Sequence, residues 1–99
     1  MVVDADEMSG IDTMVRFALS GPTADVDTAL ESAEFSAPLE PDVEVFQTPL
    51  AGVDLDALLD RRAGRDTWVN SEGQTVNRIV VRGGLDDGAE LVHVWAFTT

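Results

Sequence analysis

His93 is the single histidine of the chain. It is therefore the one ordinary side chain that titrates near neutrality and the first candidate for acid–base or ligand chemistry. Such work needs polar company. At strand spacing its same-face neighbours are Leu91 and Trp95, which suit a packed imidazole or an interface contact better than a catalytic base. Carboxylate pairs are the next candidate. Asp54, Asp56 and Asp60 cluster, with the last two at helical i, i+4 spacing. Two carboxylates divide acid and base roles only where burial separates their pKa values. On an exposed helix they solvate instead, with Asp54 as an N-cap and Asp56 as a favourable charge near the helix start. The loop Gly83–Glu90 sets Asp86, Asp87 and Glu90 among glycines, but without the alternating oxygen pattern of a dedicated calcium site. Its glycines form neither GxGxxG nor GxxxxGK, and the carboxylates around them repel phosphate. Ser9, Ser20, Ser32, Ser36 and Ser71 stand in no GxSxG setting. One His, no Cys and no Lys leave few ways to build a catalytic centre. The expectation is a protein that is not an enzyme and holds no cofactor and no metal.

All six basic residues are Arg. Arg61, Arg62 and Arg65 form the only basic cluster, flanked by Asp60 and Asp66, and are expected at the C-terminal end of a helix, where cations complement the macrodipole. A nucleic-acid surface wants a basic stripe on a basic or neutral domain, so no nucleic-acid partner is expected. A protein contact suits planar guanidiniums better. Arg78 and Arg82 alternate with Val80 on one strand face, so that face is wet or meets carboxylates.

Across 99 residues there are 19 acids, twelve of them Asp, and the net charge is −13. The imbalance is uneven: residues 1–60 hold fourteen acids against Arg16, whereas residues 61–99 hold five of each sign. Such a chain folds against its own repulsion unless salt screens it. Two hosts fit. One accumulates molar salt, where the Debye length is about 3 Å; the other encodes Arg for Lys from GC-rich codons and makes an acidic protein for a basic partner. Preference for Asp together with loss of Lys favours the halophile. The composition is that of one globular domain, and the absence of Cys excludes disulfides. Residues 1–9 read as an acidic tail without the features of a signal peptide. No stretch approaches the roughly 20 apolar residues of a spanning helix. The expected location is the cytoplasm, or a particle assembled there, with no membrane partner.

Periodicity supplies the elements. Residues 11–19 predict a strand with Val15, Phe17 and Leu19 on one face and Met14 and Ala18 on the other. After a break at residues 20–23, Thr23 is placed to cap a helix over about 24–34. Val26, Leu30 and Ala33 form its stripe, and Asp27, Glu31 and Glu34 make a like-charge row. A Pro-bearing connection over 36–41 leads to a short strand at 42–48, with Val43 and Val45 inward. A second helix over about 55–63 would bury Leu55, Leu58 and Leu59 and end at Gly64 in a left-handed cap. Strands at about 66–70, 75–82 and 89–97 follow, joined by hairpin loops at 71–74 and 83–88. The last strand is apolar on both faces, so it is central or covered by another chain. The order is β-α-β-α-β-β-β: an α+β domain (residues 10–99) whose C-terminal antiparallel three-stranded meander packs against two short helices.

Residues 49–59 read Pro-Leu, a short spacer, an aliphatic-Asp pair, then Asp-Ala-Leu ahead of strands. This segment resembles the one preceding the helix in the small output domains of haloarchaeal regulators. The resemblance implies a salt-accumulating host and, as one alternative, an output-domain function.

The expected function is a non-catalytic protein–protein interaction module, a structural subunit of a larger assembly in a halophile, such as a virion or other multi-subunit particle. Self-association or a larger complex supplies the partner. Trp68, Arg78, Arg82, His93, Trp95 and Phe97 are the expected contact residues, since aromatic and Arg side chains dominate interface energetics. The tryptophans serve equally well as core. The alternatives are an acidic decoy that mimics nucleic acid before a basic protein, a regulator's output domain, and a small enzyme using His93.

Overall fold

Apolar residues on both faces force the last strand into the interior of a sheet, and the computed structural model places it there. The residues described are 2–8, 14–35, 37–41, 43, 45, 49–50 and 52–98. Strand β1 is Val2–Met8, β2 Met14–Gly21, β3 Leu59–Val69, β4 Thr75–Gly84 and β5 Glu90–Thr98; helix α1 is Thr23–Ser32. β2, β5, β4 and β3 form an antiparallel sheet, and β1 pairs outside β2 to give the order β1-β2-β5-β4-β3. The class is α+β, with the C-terminal meander as expected. The acidic segment read as a tail is instead an edge strand over Val2–Met8, because antiparallel pairing with β2 gives its backbone partners.

Each sheet face carries its own core. Val80, Val92 and Val94 join Val26 of α1, with Phe17, Leu19, Leu30, Phe35 and Leu39 packed around them. On the opposite face Ile79, Val81, Leu91 and Trp95 meet Leu58 and Ala63, with Val43, Val45, Val53 and Leu55 against them. The alternation read from β5 is thus realised, one set to each face, and Phe17 and Leu19 of β2 share the α1 face as expected.

Only one α-helix stands among the described residues. Its N-cap is Pro22 rather than Thr23, and no side chain caps it. Asp25 in the first turn still complements the helix dipole. The helix closes in a Schellman motif: Glu34 N donates to Glu31 O and Phe35 N to Leu30 O, with Glu34 itself left-handed at φ 57°.

The expected second helix is absent. Leu55–Ala57 is a single 3-10 turn, capped by Asp54, which accepts from Asp56 N at 3.1 Å. Leu58 and Leu59, read as one helical face, point oppositely: Leu58 is 9% exposed and Leu59 56%. That is strand geometry, and β3 runs on through the arginine cluster, paired with β4. The helix of the regulator-like segment is therefore missing too. Gly64, expected as a helix cap, lies inside β3. A Cβ there would come 2.5 Å from Pro38 O, because residues 38–40 cross the sheet edge and Glu40 bridges Ala63 through two 2.9 Å backbone bonds. This strap carries the chain from the α1 face to the other. Val43 and Val45 of the expected strand at 42–48 are irregular yet pack inward as predicted; residues 42, 44 and 46–48 lie outside the described residues.

Candidate functional site

Two arginines on β4 fasten α1 to the sheet. Arg82 donates to both oxygens of Glu90, at 2.7 and 2.9 Å, and its Nη1 lies 2.8 Å from Asp27 of the helix. The pair shifts both groups: hydrogen bonding to Glu90 raises the Arg82 pKa, and bonding from Arg82 lowers that of Glu90, each against an opposing effect of burial. Arg78 grips Asp66 in the same forked manner, at 2.8 and 2.6 Å, and also donates to the carbonyls of Ala33 and Glu34 at the helix end. Its guanidinium lies 5.5 Å from the Phe35 ring centre and 5.8 Å from that of Trp68. A planar fork satisfies a carboxylate and spare carbonyls together, which Lys cannot do. The like-charge row expected on α1 is broken accordingly, since Asp27 is paired and Glu34 lies past the helix.

Beyond Val26, which packs on the sheet, α1 stands off it along the side of Ala29 and Ala33. Ala29, Leu30 and Ala33 from the helix side, with Phe35, face Phe17, Val76, Val80, Val94 and Ala96 across a cleft of about 180 Å³. Trp68 stands at its rim, 42% exposed. The lining is apolar except for Arg78, which commits four of its five N–H donors to Asp66 and the helix-end carbonyls.

The other face holds His93, wholly buried and stacked on Trp95 with ring centres 4.1 Å apart. Its Nε2 accepts a 3.0 Å bond from Leu50 N and so pins the covering loop to the sheet. An accepting Nε2 is unprotonated, so the ring proton sits on Nδ1. Burial, and secondarily the charge of Arg16, lower the His93 pKa to about 4.

The six expected contact residues therefore separate. His93 and Trp95 are interior and present nothing to a partner. Arg78 and Arg82 are 9% and 7% exposed and committed to carboxylates. Phe97 is half-buried beside Arg65 and Thr67, on the face away from α1. Trp68 alone is exposed, next to Val69 at 62%. The Arg61–Arg65 cluster, expected at a helix end, is spread along the terminal strand β3 instead. Arg61 pairs with Asp56 at 3.1 Å, while Arg62 and Arg65 make no ion pair among the described residues. No group of three or more metal-ligating side chains occurs among the described residues. Sequence reading missed the cleft and Val69. The small residues Ala29 and Ala33 on the inward helix stripe were the available signal.

Compared with protein-family models, with curated proteins and with solved structures, the chain matches none.

Proposed function

We propose that the chain is a non-catalytic protein–protein interaction subunit of a larger assembly in a halophilic organism, a virion or other multi-subunit particle being one setting. The supporting observation is the composition of the sheet's β3 edge. There Trp68 and Val69 are exposed, and Arg65 of the same strand is exposed with no ion-pair partner among the described residues. Aromatic and Arg side chains are the ones that contribute most at contacts. In a chain of net charge −13, this half is also where another acidic surface meets least repulsion. Beyond the strap at Ala63, the outer backbone of a terminal strand can accept a further strand.

Size-exclusion with light scattering at several salt concentrations tests this reading. The expected result is a mass above that of the 10.6 kDa chain, lowered by the pair Trp68→Ser and Arg65→Glu. A monomer at every salt and protein concentration, together with no mass shift on mixing with the host's assembled particles, removes the reading.

A further inference from the structure

We propose that the cleft beneath α1 is a binding site for a small neutral apolar molecule with a ring-sized body. This goes beyond the assembly reading and does not depend on it.

The space is built, not left over. The helix rests on Val80, Val92 and Val94 through Val26, and its second half, with Ala at inward positions 29 and 33, would gain further apolar burial by tilting down onto Phe17, Val80 and Val94. The two arginine fastenings prevent that. Arg82 fixes the helix through Asp27, and Arg78 fixes the last two carbonyls, Ala33 O and Glu34 O. Each arginine is itself held by a largely buried carboxylate, Asp66 for Arg78 and Glu90 for Arg82, an arrangement with a desolvation cost that a well-packed apolar contact avoids. Together they hold the helix at a set height and keep about 180 Å³ open. An apolar cavity of about 150 Å³ stays dry and takes up benzene, so this one has room for a ring with a small substituent.

The walls define the ligand's chemistry. Phe17, Phe35 and Trp68 offer ring faces and edges, and the remaining walls are aliphatic or Ala. The one charged group, Arg78, already commits four of its five N–H donors to Asp66 and two carbonyls, so no forked pair of donors is left for an anion and its charge is already matched by Asp66. A charged ligand would lose its hydration without compensation. Entry is at the helix end, where Trp68 is exposed beside Arg78.

Calorimetric titration of the full chain with toluene, benzoate and benzylamine tests the proposal, alongside tryptophan fluorescence. Toluene is expected to bind saturably at one site, with benzoate and benzylammonium roughly tenfold weaker or worse. Emission should change through Trp68 and not through Trp95, which lies on the opposite face. Thus Trp68→Phe keeps the heat and loses the signal. Ala29→Phe, or Ala96→Leu should the first fail to fold, fills the cleft; binding disappears while the melting temperature holds or rises. Three results overturn the proposal: no saturable toluene binding by folded protein, benzoate binding more tightly than toluene, or binding indifferent to both filling variants. If toluene fails to bind and the filling variants instead break a dimer, the cleft receives a second copy and the ligand proposal falls, while the assembly reading survives.

Discussion

His93 shows how one buried ring can resemble a catalytic residue in sequence and act as a structural acceptor. Its depressed pKa gives a signed prediction. The folded state favours the neutral ring, so the unfolded chain takes up a proton first as pH falls from 6.5. Stability from this residue is complete above pH 6.5 and is lost as pH falls towards about 4. Glu90, whose pKa is lowered by Arg82, adds a loss in the same direction below its usual value of 4.5. Replacing His93 with Phe keeps a ring against Trp95 but leaves the Leu50 N–H without its acceptor. The expected cost is about 1–3 kcal/mol at pH 7, shrinking as pH approaches 4. Urea melts of both proteins across that range measure it; equal slopes with pH would remove the argument. Glu34 gives a second test. A non-glycine residue at φ 57° is strained, and Arg78 needs only its carbonyl. Glu34→Gly should gain about 1 kcal/mol over Glu34→Gln, which removes the charge but not the strain.

At the scale of elements, the sheet was legible and the connection between its halves was not. Alternation placed β2, β4 and β5 and the faces of Phe17, Val92 and Trp95, because a strand's period of two survives in a short window. The segment 55–63 misled for a physical reason. Leu55, Leu58 and Leu59 match a helical stripe, but pairing with β4 outweighs that preference over so short a run. The strap at 38–40 leaves its trace only in Gly64, where the crossing backbone excludes a side chain. Of the candidate site, the two β4 arginines and Trp68 could be read from sequence. The cleft could not, since it depends on how high α1 rides above the sheet. That height has its own prediction. Arg78→Met strands a nearly buried Asp66 and releases the helix end, at about 3–5 kcal/mol. Double replacement of Arg78 and Asp66 by Met and Leu removes the stranded charge and should recover most of the loss. Thermal melts of the single and double variants decide it; a double variant as unstable as the single would assign the cost to the freed helix end alone.

For the whole molecule, the question is what balances 19 carboxylates. Six Arg stand against them, and Arg61, Arg78 and Arg82 pair with acids among the described residues, so carboxylates far outnumber the cations that could neutralise them. Ordinary screening and adaptation to brine predict different curves. Screening of charges across the surface is largely complete once the Debye length falls from about 30 Å at 0.01 M to about 10 Å at 0.1 M. A protein fitted to molar salt keeps gaining to 1 M and beyond, where the length is about 3 Å and only adjacent carboxylates still repel. The melting temperature in potassium chloride is therefore expected to climb throughout this range. The buried forks at Arg78 and Arg82 should contribute little to the slope, because salt reaches them least. Neutralising the exposed acids Asp25, Glu31 and Glu72 to Asn or Gln should flatten the upper part of the curve and leave the forks untouched. A plateau above 0.1 M, or a cooperative melt at high temperature in about 10 mM salt, would mean that screening alone suffices. The halophilic host would then lose its physical basis, and the acidic half would need a basic partner to account for it.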